Sequence, residues 1–164
     1  MGQDVMAVEI HETKPAPAFL PPPKRLKGLR AEDLSRIVSA EIELETAGVQ
    51  GGRYASYLYL NGIKIGPVPP SRSDTIWHAG SVPVPKDALQ TIGRTNRLVI
   101  KNPGCDYMKV RKLCLRFKLS DGREGSSWVD VGPYTSAKGW LHEEGQSVPI
   151  GLDLPTMRLI VPAE

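Results

Sequence analysis

The sequence predicts an all-β fold, a sandwich or a barrel, and three observations carry that expectation. Apolar and polar residues alternate with period two over many short segments, as half-buried strands require. Asn61-Gly62 joins two such segments, and Asn-Gly suits a type I′ hairpin because both central residues take positive φ. Finally, 15 Pro and 16 Gly make up about a fifth of the 164 residues, which favours many turns over a helical bundle.

The elements follow in order. Residues 1–36 differ from the rest and form an N-terminal extension, with the β-domain expected over 37–164. Met6, Val8 and Ile10 alternate as a short strand. Pro15 to Pro23 favours extended polyproline II, followed by the basic Lys24, Arg25, Lys27 and Arg30. That arm reads either as a linker or strap, or as an SH3-type ligand or basic arm. Ala40, Ile42, Leu44 and Thr46 alternate with Ser39, Glu41, Glu43 and Glu45, a strand with an acidic outer face. Tyr54 to Leu60 is a second strand, with Leu58 and Leu60 opposite Tyr57 and Tyr59. Ile63 and Ile65 continue the hairpin until Pro67, Pro69 and Pro70 end it.

Residues 71–80 read as a polar loop carrying Trp77, 86–92 as one or two helical turns, and Leu98 to Lys101 as a strand. Val110 to Leu119 is the longest strand, with Leu113, Leu115, Phe117 and Leu119 on one face and Lys112, Cys114, Arg116 and Lys118 on the other. Trp128 to Val131 is a shorter strand and 132–146 a long loop with Tyr134, Trp140 and His142. Val148, Ile150, Leu152 and Leu154 alternate again, and Met157, Leu159 and Val161 close the chain. The acidic stripe of Glu41, Glu43 and Glu45 and the basic stripe of Lys112, Arg116 and Lys118 pair if their strands are antiparallel neighbours.

Composition excludes more than it selects. A net charge of +3 is too small by itself to argue for nucleic acid or a membrane surface. No apolar run is long enough for a membrane span. The first twenty residues hold Asp4, Glu9 and Glu12 and show no signal-peptide core, which suits a cytosolic chain or a domain of a longer secreted one. Cys105 and Cys114 read as free thiols, or as a short-loop disulfide in an oxidising compartment.

Enzyme motifs are missing. There is no GxSxG, P-loop, GxGxxG after a strand or HExxH. His11, His78 and His142 lie far apart in the chain, and no catalytic residue is assigned. Loop aromatics point instead to binding, because a ring on a rigid loop can pack on the apolar face of a sugar. Trp77, Trp128, Trp140, Tyr107 and Tyr134 are the candidates. Arg72, Asp74 and His78 flank Trp77, and Asn102 and Asp106 flank Tyr107, as hydrogen-bonding groups for hydroxyls. Trp128, inside a strand, also reads as a core residue.

One order of motifs carries a resemblance. Tyr59-Leu60-Asn61-Gly62 is followed by Trp77, then Val82-Pro83-Val84-Pro85, Ala88-Leu89 and Gly93-Arg94-Thr95-Asn96-Arg97-Leu98-Val99-Ile100. From about Ala40 to Leu119 the chain thereby resembles the galactose-binding-like jelly-roll modules of glycoside hydrolases, including accessory β-domains of β-galactosidases and α-rhamnosidases. The resemblance implies a β-sandwich of jelly-roll type. It implies a non-catalytic, secreted module that binds carbohydrate or braces a neighbouring catalytic domain of a polysaccharide-degrading enzyme. Such modules often hold a structural calcium, for which no ligand set is assigned here. Residues 1–36 and 120–164 have no counterpart in the pattern. Two other classes remain: a protein-interaction domain using the proline-rich arm and basic strand face, and a small β-sandwich polysaccharide lyase or hydrolase.

Overall fold

The computed structural model describes residues 26–52, 55–71, 73, 75–101, 108–127, 134–135 and 147–160, with backbone alone at 134–135 and 147–151. The expected strand at 6–10, the proline-rich arm, Cys105, the strand at 128–131 and Val161 lie outside them. Eleven strands are present among the described residues: β1 (Leu26–Gly28), β2 (Ile37–Ala47), β3 (Tyr57–Leu60), β4 (Ile63–Pro67), β5 (His78–Pro83), β6 (Arg97–Lys101), β7 (Lys109–Leu119), β8 (Glu124–Ser126), β9 (Tyr134–Thr135), β10 (Ser147–Gly151) and β11 (Arg158–Ile160). Among the described residues one short α-helix, α1 (Lys86–Leu89), sits between β5 and β6.

The strands form two antiparallel sheets in a sandwich-like, all-β arrangement. The larger runs β1-β11-β8-β7-β2-β5, with β9 also on β7; the smaller runs β10-β6-β3-β4. Ile42 and Leu44 of β2, Leu113 and Leu115 of β7, Leu58 and Leu60 of β3, and Leu98 and Ile100 of β6 are fully buried in one cluster. Each such side chain contributes on the order of 1.5–3 kcal/mol on leaving water. Alternation in the sequence therefore chose the inner face correctly in β2, β3 and β7, the strands for which it named one.

Two turns fix the smaller sheet. Asn61 and Gly62 both take positive φ, 51° and 87°, as a type I′ hairpin turn requires. Asn61 Nδ2 then donates to the Asn96 side chain at 3.1 Å, and Asn96 Nδ2 donates to the carbonyls of Gly93 and Leu152 at 2.8 and 2.7 Å. The two asparagines of the motif order thus tie the hairpin turn to the turn before β6. Asn96 is buried, so each of these bonds replaces water that the side chain has lost.

Several expectations change. β1 pairs Leu26–Gly28 with Arg158–Ile160, so the sheet already includes residues ahead of position 37. A 3-10 turn (Ala31–Arg36) follows, and its Asp33 is buried among Arg30, Arg36 and Arg123. Burial pushes the Asp33 carboxyl up, but the Arg30 backbone N–H and the Arg123 guanidinium outweigh it and hold it below the usual range. The strand expected through Leu154 stops at Gly151, and Leu154–Thr156 is a 3-10 turn with Pro155 near its start. His78 to Gly80, read as loop, belong to β5, because the strand pairs onto β2 as far as Thr46. Glu43 and Glu45, read as a solvated face, are buried, at 6% and 3% exposure.

Candidate functional site

Two surfaces gather side chains with binding chemistry. The first lies at one end of the larger sheet. His78 pairs with Thr46, Thr46 with Val110, and Val110 with Tyr134, so four strands place these residues in one cross-strand row. Trp77 precedes that row, and its ring carries the Arg111 guanidinium at 4.1 Å and the Lys109 ammonium at 5.5 Å. Arg111 Nε in turn donates to Glu45 Oε1 at 2.6 Å. Of the sequence-derived candidates, Trp77 lies with Arg111 on the outer face, whereas His78 and Tyr134 share the register row of the buried Val110, so the sheet does not bring the three together on one surface. Arg72, Asp74, Asn102, Asp106, Tyr107, Trp128 and Trp140 lie outside the described residues.

A bulge creates this arrangement. Glu43 pairs with Cys114 but Glu45 with Arg111, so β7 has one residue more than β2 across that step. Lys112 absorbs it with a φ of 56°, a conformation few residues with side chains adopt. The extra residue moves Arg111 onto the face of Cys114 and Arg116 and leaves Val110 buried in the core. The expected stripe pairing is present for Glu43 and Arg116, with Arg116 Nη1 donating at 3.1 Å to Glu43 Oε2. Its other basic member is Arg111, where alternation named Lys112.

Along the same face, Glu41 and Glu43 sit side by side. Glu43 Oε1 is buried without an N–H or hydroxyl donor. The hydrogen bond to Glu43, burial and the Glu43 charge all raise the Glu41 carboxyl, against the opposing pull of Arg116. Ser39, Glu41, Arg116, Lys118 and Glu124 line an open cleft there.

The second surface is the outer face of the smaller sheet, and sequence reasoning did not single it out. Leu58 and Leu60 turn inward, so Tyr57 and Tyr59 turn outward, each half-buried. Lys64 of β4 places its ammonium 3.8 Å from the Tyr57 ring centre, and Lys101 of β6 lies 4.4 Å from that of Tyr59. Tyr59, Gly62, Arg97, Val99 and Lys101 line a shallow groove of about 340 Å³. Arg97 is held at its rim by the hairpin turn: its backbone N–H donates to Asn61 Oδ1 at 2.8 Å, and the Asn61 N–H donates to its carbonyl at 2.8 Å. The signal was present in the Tyr-Leu-Tyr-Leu alternation, which puts two aromatic rings on the face away from the core.

Among the described residues, no three of the His, Cys, Asp and Glu side chains come together as a metal site needs, so no calcium position is assigned. No helix among them is long and apolar enough to cross a membrane. Comparison with protein-family models, with curated proteins and with solved structures gave no match.

Proposed function

We propose that this chain is a non-catalytic carbohydrate-binding module of jelly-roll type, working as the secreted partner of a polysaccharide-degrading catalytic domain. The observation that carries this reading is the groove on the smaller sheet. Tyr59 and Val99 give it an apolar floor, and Arg97 and Lys101 supply donors at its sides. A pyranose ring has that same division, with C–H groups on its faces and hydroxyls around its edge. The C–H face gains dispersion contacts with the floor while the edge hydroxyls accept hydrogen bonds. A β-sheet holds the floor more rigidly than a loop does, so little side-chain freedom is lost on binding. The Trp77 end of the larger sheet is the next surface to test, because its ring is already engaged by Arg111.

The test is a glycan array probed with the isolated chain, with and without calcium, together with folded Tyr59→Ala and Trp77→Ala variants. A hit that Tyr59→Ala abolishes and Trp77→Ala spares supports the smaller-sheet groove. The opposite pattern moves the site to the Trp77 end. Silence across plant, algal and microbial glycans would sink the carbohydrate reading and turn attention to bracing or protein contacts.

A further inference from the structure

We infer that the groove on the smaller sheet is a subsite for an acidic sugar, a uronate whose carboxylate is read by Arg97 and Lys101. This inference rests on the carbohydrate reading and narrows it. Its first support is uncompensated charge. Lys64, Arg97 and Lys101 are all exposed on one sheet face, and among the described residues none pairs with a carboxylate. The arginines of the opposite outer face, Arg111 and Arg116, are both neutralised by glutamates of their own sheet. Among the described residues, positive potential therefore persists on the smaller sheet.

The second support is positioning. A lysine ammonium free in solvent loses rotamer freedom when a ligand captures it, which weakens binding. Lys101 and Lys64 are already held over tyrosine rings, and a cation over a ring keeps outward N–H groups for an acceptor. Arg97 is fixed at its backbone by the two hydrogen bonds to Asn61. Its guanidinium is a planar fork that matches the two oxygens of a carboxylate. Gly62 bears no side chain at the rim, where an added Cβ would meet no atom within 4 Å, so the mouth stays open.

The third support separates a sugar from a nucleic acid. An oligonucleotide gains its stacking from successive aromatic faces, and with an ammonium over each tyrosine at most one face of each ring is open to it. The apolar floor left open beside Tyr59 is Val99, which suits the C–H face of a pyranose.

Calorimetric titration of the intact chain tests the inference with four probes of equal length: an oligogalacturonate, a neutral galacto-oligosaccharide, a sulfated galacto-oligosaccharide and an oligouridylate. The expected result is preference for the oligogalacturonate, weakened at least about tenfold by Arg97→Ala and also by Arg97→Lys, which keeps the charge but loses the fork. Thermal unfolding of each variant confirms that it remains folded. Equal affinity for the neutral and acidic sugars overturns the inference and leaves the carbohydrate reading standing. Preference for the sulfated sugar or the oligouridylate overturns it and names a different anion. An affinity for the uronate that neither Arg97 variant changes also overturns it. No binding to any of the four overturns the uronate subsite, and only silence on the glycan array as well removes the carbohydrate reading.

Discussion

The two outer faces use the same kinds of residue to opposite ends. On the larger sheet, aromatic, basic and acidic groups form a closed set: Trp77 on Arg111, Arg111 on Glu45, Arg116 on Glu43. The acidic partners are buried, so their charges must be answered within the protein. On the smaller sheet, tyrosines and cations are stacked in the same manner, but no carboxylate answers them among the described residues. Burial of the glutamates makes the first face a device for register. Exposure of the cations leaves the second face open to an external anion. What distinguishes structural charge from binding charge is thus its compensation, and residue type alone does not decide it.

The largest effect expected from this contrast follows removal of one member of the closed set. Arg111→Ala leaves Glu45 buried without its guanidinium and strips one face of Trp77. A loss of about 3 kcal/mol is expected, since breaking one side of a buried pair leaves charge in a poorly solvating place. Urea unfolding measures it. The double variant Glu45→Leu with Arg111→Met should recover much of that loss, because an apolar pair needs no compensation. A single-variant loss no larger than that of an exposed ion pair would show that Glu45 is well solvated and that the closed set is a surface feature.

Next in size is a pH effect at the edge of the same face. The Glu41 carboxyl is raised by the hydrogen bond to Glu43, by burial and by the Glu43 charge. The folded state therefore binds this proton more tightly than the unfolded chain. Its contribution is fully present below the unfolded carboxylate pKa and is lost as pH rises through the raised, folded value. Glu41→Gln keeps a donor to Glu43 and does not titrate. The variant should match the wild type in acid and exceed it in stability at neutral pH. Parallel stability-pH curves for the two proteins would rule out the shared proton.

The contrast also explains what could be read in advance. The Asn61-Gly62 hairpin and the inner faces of β2, β3 and β7 were legible, because each depends on local turn chemistry or on a period of two; the acidic and basic stripes were legible as stripes, and their meeting depended on which strands are neighbours. The bulge was not. Lys109-Val110-Arg111-Lys112-Leu113 contains no Gly or Asn to mark positive φ, and Lys112 takes it only because pairing with β2 and burial of Val110 demand it. A one-residue slip exchanges the two faces of a strand, so alternation assigned Lys112 to the stripe where Arg111 stands. Alternation likewise names two faces without saying which is covered, and Glu43 and Glu45 looked like solvent-facing residues for that reason. The Tyr57-Tyr59 face was overlooked because aromatic residues are common in strands for packing alone. Its cations come from β4 and β6, which the chain separates by thirty-odd residues and only the sheet brings together.

The smallest stability effect is expected on the open face, and that smallness is the sharpest form of the comparison. Lys64→Ala and Lys101→Ala each remove an ammonium from a tyrosine ring at the surface, where such a contact contributes about 0.5–1 kcal/mol. Neither exposes a buried charge, so nothing further is lost. If these lysines serve the fold, their removal should resemble that of Arg111 in urea unfolding. If they serve a ligand, stability stays within about 1 kcal/mol of the wild type while affinity for an acidic glycan falls. A protein evolved only for stability gains little from three exposed cations on one sheet face, since like charges repel. Their persistence on a flat, tyrosine-bearing sheet follows if an anion from outside completes the set that glutamates complete on the other face.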